Sequence, residues 1–173
     1  MHKTIQTASG IVISLEDPSA NIYSIHDIGY ALSQLCRFNG HCTPFYSVAQ
    51  HCVSVSNIVS PEHALEALLH DAAEAYIGDV TSPLKAMLKD CKEIERKVER
   101  SIRISFGLPV ELHSEVKAAD LRLLATEQRD LMPKLKEPWG ITAGVPTLAY
   151  HIEPLNSGAA YHLFMDRYLE LTR

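Results

Sequence analysis

His70 and Asp71 stand side by side in the stretch Leu68-Leu69-His70-Asp71-Ala72-Ala73-Glu74-Ala75-Tyr76-Ile77-Gly78-Asp79. An imidazole and a carboxylate in adjacent positions are both good ligands for a hard or borderline divalent cation. Glu74 follows His70 by four positions, so on a helix the two share a face. Polar groups among Leu and Ala are costly to bury unless they are paired or hold a metal. Two more candidates lie on apolar faces: His51 among Val48, Val55 and Ile58, and Asp120 among Val116, Ala119, Leu123 and Leu124. Facing helices of a bundle can bring such residues together. Two imidazoles and two carboxylates suit Mn, Fe, Co, Ni or Zn with coordination positions left open, and Mg extends the range of divalent ions. Taken singly, a histidine on an apolar face is ordinarily a satisfied core residue, and a lone aspartate a cap or ion-pair partner. The adjacency of His70 and Asp71 in a Leu-rich helix favours the metal, as a centre for hydrolysis.

The elements needed to position these residues can be read from periodicity and punctuation. Thr4-Ile5-Gln6-Thr7 and Ile11-Val12-Ile13 flank Ala8-Ser9-Gly10 and predict a small β-hairpin. Ser24 caps a helix to about Cys36, with Ile25, Ile28, Ala31, Leu32 and Leu35 on its apolar face. Residues Arg37 to Phe45 form a loop, and a second helix starts near Tyr46 or Ser47 and carries His51. Ser60-Pro61 opens a third helix, which carries His70-Asp71 to about Ile77 and ends at Gly78. Asp79 to Lys85 leads into a short helix. Asp90 caps a long one to about Phe106, whose Lys92, Glu93, Glu95, Arg96 and Glu99 read as a solvated face. Another helix from Ser114 through about Leu131 carries Asp120. The proline-rich stretch from Pro133 to Pro154, with Trp139, is an irregular excursion, and Asn156 or Ser157 starts a last helix to about Leu171. The expected architecture is a single all-α domain over residues 1–173, a bundle of about six or seven helices with a small N-terminal β-hairpin. Its metal-site core spans about 24–130, and 133–173 forms the C-terminal irregular segment and helix.

A net charge of −5 gives no whole-protein attraction to a nucleic-acid polymer or an anionic membrane. Cys36, Cys42, Cys52 and Cys91 form no CxxC pair, so neither a structural zinc site nor a redox motif is expected. No apolar leader core follows Met1-His2-Lys3-Thr4 and no run approaches membrane-spanning length, so a cytoplasmic protein is expected. His41, just before the second helix, is placed either to approach the metal or as an exposed loop residue. His26, His63, His113, His151 and His162 have no constellation around them.

His51, His70-Asp71 and Asp120 resemble the H…HD…D signature of the HD-domain phosphohydrolase superfamily. The resemblance is closer to its small deoxynucleotide phosphohydrolases, the bacterial 5′-deoxynucleotidases and phage dATP triphosphohydrolases. In those an Arg-aromatic pair precedes a Ser-Val-Ala-Glu-His-like motif, and here Arg37-Phe38 and Ser47-Val48-Ala49-Gln50-His51 take those places. The second motif, HDxxE…GD…P…K, is matched by His70-Asp71, Glu74, Gly78-Asp79, Pro83 and Lys85. The likeness covers about residues 24–130. Phe38 stands where the family often has Trp, and Gln50 replaces the usual acid. Gly40 falls near the position of base discrimination in the phage enzymes.

The resemblance implies a metal-dependent hydrolase that cleaves a deoxynucleotide, preferably a deoxyadenosine nucleotide, by attack of a metal-activated water on the α-phosphorus. His51, His70, Asp71 and Asp120 would hold the divalent metal (Co, Mn, Zn, Fe, Ni or Mg). Glu74 would serve as acid/base and Asp79 would support its proton traffic. Arg37, Phe38, Asn39, Gly40 and Lys85 would bind substrate, with Arg37 as phosphate clamp. A dATP-type triphosphohydrolase is placed ahead of a monophosphate 5′-nucleotidase. Hydrolysis of signalling nucleotides and a non-catalytic nucleotide-binding module rank lower. The related enzymes are oligomers, so a homo-oligomer is implied, with Trp139 and its surroundings available to pack on a neighbouring subunit.

Overall fold

The computed structural model describes residues 3–136 and 139–173. Met1, His2, Glu137 and Pro138, which enter the N-terminal and proline-rich expectations above, lie outside them. Strands β1 (Thr4–Gln6) and β2 (Val12–Ser14) pair antiparallel, with Ile5 opposite Ile13. Eight α-helical segments follow among the described residues: α1 (Ile25–Gln34), α2 (Val48–Ile58), α3 (Ala64–Leu68), α4 (Glu74–Ile77), α5 (Ser82–Met87), α6 (Lys89–Ser105), α7 (Ser114–Leu131) and α8 (Ser157–Leu171). The all-α architecture with its hairpin is as expected. No helix among the described residues is long and apolar enough to cross a membrane.

The expected third helix is not continuous. It tightens at Leu69, and residues 69–73 are turns joining α3 to α4. Here Ala72, Glu74, Ala75 and Tyr76 donate their N–H groups to carbonyls three residues back. Such winding brings positions i and i+3 into line. Asp71 and Glu74 therefore face one cavity together, rather than His70 and Glu74 as helical spacing suggested. This break is also why the helix count exceeds six or seven. Asp90 lies in the first turn of α6 but makes no cap, because the helix begins one residue earlier.

Caps were legible locally. Ser24 and Ser47 accept N–H bonds from Asp27 and Gln50, and Asn156 accepts from Ala159. The main core gathers Ile13, Ile28, Leu32, Val48, Cys52, Leu68 and Phe164 from the hairpin and four helices. The last helix is central to it, since α8 packs on α1, α2 and α3. Gly29 permits this approach: a Cβ there would lie 2.9 Å from Phe164 Cδ1. A second cluster of Val55, Ala67, Val116, Leu123 and Leu148 ties α7 to α2 and α3.

A buried ion pair locks α3 to α6. Arg103 Nη2 donates to Glu66 Oε1 at 2.5 Å, and the His113 N–H donates to the same oxygen at 2.8 Å. Glu66→Ala would strand a buried guanidinium and is expected to lower the unfolding free energy by about 3–5 kcal/mol, read as a lower urea midpoint. Burial raises the Glu66 carboxyl, but the His113 N–H and Arg103 hold it below its ordinary value. A carboxyl held low stabilises the fold fully above its unfolded value, 4.5, and the contribution fades as pH falls through the folded value. Below pH 4.5 the wild type should therefore lose stability faster than the variant. Parallel acid titrations of the two would contradict this.

Candidate metal centre and its cavity

Three segments deliver four donor atoms to one point. α2 supplies His51, the turn after α3 supplies His70 and Asp71, and α7 supplies Asp120. His51 Nε2 lies 3.3 Å from His70 Nε2 and 3.2 Å from Asp120 Oδ1. Asp71 Oδ2 lies 3.6 Å from His51 Nε2 and 3.3 Å from His70 Nε2. His51, His70 and Asp120 thus offer donor atoms within 4.8 Å of one another, and Asp71 lies against both histidines. His51 is fully buried, whereas the Asp120 side chain is 42% exposed. Asp120 is not drawn into the core as its apolar neighbours suggested; it forms the open side of the cluster.

The other ring nitrogens decide what this cluster can hold. His51 Nδ1–H donates to Glu127 Oε1 at 2.6 Å, and His70 Nδ1–H donates to the Ala67 carbonyl at 2.7 Å. In a neutral imidazole that leaves a lone pair on each Nε2. Two lone pairs and two carboxylate oxygens then face one another, an arrangement that requires a positive charge between them. The same demand shows in the charge state of His51. Burial and Arg37 pull its pKa down, but Glu127 and Asp120 outweigh them and push it up to about 10. Burial opposes ionisation of Asp120, yet His51, His70 and Arg37 hold it well below the usual carboxylate range. The residues present therefore fit a divalent ion. Cys52 Sγ also lies within reach of His70 and Asp71. Burial, then Asp71 and Glu74, push that thiol far up, so Cys52 is a neutral thiol and not the thiolate that metals take.

Glu127 went unnoticed in the sequence. It is fully buried and bridges two functional groups, accepting from His51 with one oxygen and from Arg37 Nη2 at 3.0 Å with the other. A signal existed: Glu127 follows Asp120 by two helical turns and so shares its face. Arg37 is buried, and its Nη1 lies 3.7 Å from Asp71 Oδ2. Burial opposes its charge, but Glu127, Asp71 and Asp120 raise its pKa further above the ordinary range. Half of its fork is committed to Glu127, which leaves Nη1 toward the cavity.

The cluster opens on a cavity of about 770 Å³ whose polar lining includes Arg37, Asp71, Glu74, Asp79, Lys85 and Asp120. Glu74 is 7% exposed and its Oε2 has no partner. Burial, then Asp71 and Asp79, push its carboxyl up to about 9. Asp79 is raised by burial against the pull of Arg37; it follows Gly78, whose φ of +81° ends α4 and turns the chain back along the cavity. Lys85 Nζ is paired with Glu95, so Glu95 is not part of a purely solvated face of α6.

The whole chain has counterparts. Over 169 residues, 97% of this chain and 95% of the other, it is 44% identical to the uncharacterized protein YfdR of Escherichia coli K12. The chain belongs to the YfdR family. An uncharacterized protein of Rhodobacter capsulatus is 34% identical over 121 residues, 64% of this chain and 62% of that one. No family model matches the chain.

The cavity of this YfdR-family chain also has an apolar lining: Phe38, Leu124, Met132, Trp139 and Ile141. Phe38 and Asn39 have φ of 56° and 51°, two successive non-glycine residues in the left-handed region. Each costs about 1–3 kcal/mol, and the result is that the Phe38 ring enters the cavity while Asn39 and Gly40 are exposed and line none of it. His41 reaches the cavity rim. Trp139 meets Phe38 within the chain, with ring centroids 5.7 Å apart. His63 and His113 also have a constellation after all. Their rings stack at 3.7 Å beside Glu115. Its donors are already engaged: Glu115 accepts from Ser60 twice, and His113 Nδ1 accepts from the Glu115 N–H.

Proposed function

We propose that this chain is an HD-type, metal-dependent phosphohydrolase of deoxynucleotides. The observation that carries the reading is the cluster of His51 Nε2, His70 Nε2, Asp71 Oδ2 and Asp120 Oδ1, whose two carboxylates line a cavity that also holds Arg37 and Glu74. The cavity volume of 770 Å³ falls within the range of about 300–1,000 Å³ typical of small-molecule and cofactor sites. A divalent ion bound by the four residues would supply Lewis acidity toward a phosphoryl oxygen and acidify a water.

The rest is done by the chain's own groups. Arg37 binds a phosphate oxygen through Nη1, a charge-assisted bond in a buried setting. Its tie to Glu127 keeps the guanidinium from swinging away. Glu74 takes a proton from the water that attacks the α-phosphorus and returns it to the departing 5′ oxygen. The carboxylate that accepts the proton would be favoured by the positive charge of a bound divalent ion, and burial with Asp71 and Asp79 makes Glu74 hold the proton firmly once taken. Asp79 supports the transfer from the cavity wall. The reaction consumes one water and yields a deoxynucleoside and, from a triphosphate, inorganic triphosphate.

The triphosphate dATP is placed first, on the compactness of the chain and its likeness to the phage enzymes. One observation favours the monophosphate as a second reading: Lys85 is tied to Glu95, which leaves Arg37 as the cation turned to the phosphates. Product analysis decides between them. With dATP and a divalent metal, deoxyadenosine and triphosphate are expected. Free phosphate as sole product, from dAMP only, would select the second reading. No product from any deoxynucleotide with Co, Mn, Zn, Fe, Ni or Mg would remove both.

A further inference from the structure

The cavity is lined by both polar and apolar side chains, and the polar ones alone have been given work. Four observations concern the others. First, residues along the wall follow one another in a fixed order. Arg37 reaches Asp71 at 3.7 Å, the Arg37 Cζ sits 5.3 Å from the Phe38 ring centroid, and Phe38 meets Trp139 at 5.7 Å. That sequence of ligand atoms, guanidinium, ring and ring matches a molecule with phosphate at one end and a flat apolar group at the other. Second, Phe38 is in contact with Arg37 on one side and Trp139 on another, with its ring and that of Trp139 tilted by 53°. No base fits between two rings so placed, and Trp139 is the aromatic surface left for one. Third, two successive residues in the left-handed region, Phe38 and Asn39, set the direction in which the Phe38 ring leaves the chain. Fourth, Trp139 is anchored. The Thr142 N–H donates to the Trp139 carbonyl at 3.0 Å, and the Thr142 hydroxyl donates to Gln128 Oε1 at 2.5 Å. Gln128 is on α7, the helix that also carries Asp120 and Glu127. One rigid element thus sets the distance from the ligand cluster to the ring.

We propose that Trp139 is the base-binding residue of this cavity: the nucleobase of the substrate stacks on its indole, with Phe38 bracing that ring from behind and Met132 and Ile141 closing the apolar wall. This rests on the phosphohydrolase reading for the identity of the substrate, but not for the stacking itself. Indole stacking is tolerant of base identity and favours the larger ring system. A purine nucleotide is therefore bound more tightly than a pyrimidine nucleotide.

Trp139 is the single tryptophan of the chain, so its fluorescence reports on the site without any substitution there. The test titrates dATP into the Glu74→Gln protein with metal present, and inorganic triphosphate in parallel. Saturable quenching by dATP and none by triphosphate is expected. In steady-state assays of the full chain, Trp139→Ala should raise KM for dATP about 10- to 100-fold with kcat little changed, and Trp139→Phe should restore most of it. Because the Trp139 carbonyl, not its side chain, anchors the turn, both variants keep the tether to α7. If the wild type hydrolyses dATP but fluorescence and the Trp139→Ala KM are unmoved, the stacking role is wrong and the phosphohydrolase reading survives. Quenching by dATP without hydrolysis of any deoxynucleotide by the wild type reverses that outcome: the platform stands and the reaction does not. Neither quenching nor hydrolysis overturns both.

Discussion

Glu74→Gln is expected to cut kcat for deoxynucleotide hydrolysis by about 10²- to 10⁴-fold while the protein retains its full metal content. The substitution preserves shape and burial and removes only the capacity to take and return a proton. Glu74 faces the cavity with one carboxylate oxygen unpartnered. It is not among the four groups whose donor atoms converge. Burial and its neighbours Asp71 and Asp79 set its proton affinity high, an arrangement of the kind found where an acid/base is needed. Elemental analysis beside kcat separates the roles. Undiminished turnover would exclude Glu74 as acid/base, and turnover lost together with the metal would make it a ligand. A binding module without catalysis would show no dependence on Glu74 at all.

The second large effect concerns the centre itself. His70→Ala combined with Asp71→Ala removes two of the four converging donors, and both metal content and turnover should fall to background. Glu127→Gln should do less. It keeps an acceptor for His51 Nδ1–H but loses the negative charge that fixes the ring and pairs Arg37. Groups of this kind, one step behind a metal ligand, typically cost about 10- to 100-fold in metal affinity or activity when altered. The graded series is the useful result: background for the double variant, an intermediate loss for Glu127→Gln. Full hydrolysis by the double variant would refute the metal mechanism outright. Equal collapse of both would make Glu127 a folding residue, which circular dichroism would reveal.

The departure at Gln50 shows how context assigns a role that a motif does not. Where the resembling enzymes carry an acid, this chain has an amide. Gln50 Nε2 donates to the Glu153 carbonyl at 2.8 Å, and Gln50 Oε1 accepts from the Leu155 N–H at 2.9 Å. A carboxylate could accept but not donate, so the amide suits a chain whose segment before α8 crosses over α2. Nothing in the motif pointed to that strap, because its partners lie 103 and 105 positions away.

Much of the site was legible because it is local. Caps at Ser24, Ser47 and Asn156, the glycine after α4, and the adjacency of His70 and Asp71 each involve residues within a turn of one another. Hydrophobic spacing likewise placed His51 and Asp120 on helices able to face a common centre. What local spacing could not show is the break at Leu69, where α3, packed on α2 and α8, gives way to α4, packed on α1. It also could not pair Glu127 with His51 or Arg37, which lie 76 and 90 positions away, nor bring Trp139 back onto Phe38. Those contacts exist only once α7 has docked on α2 and the excursion has been tied to α7. The sequence by itself determined most of the helices, the candidate ligand types and their order along the chain, because turns and faces are encoded over a few residues. The tertiary structure alone decided which carboxylate meets His51, how far the arginine fork is free, and which ring meets Phe38 in the cavity. Those are distances between segments, and only packing sets them.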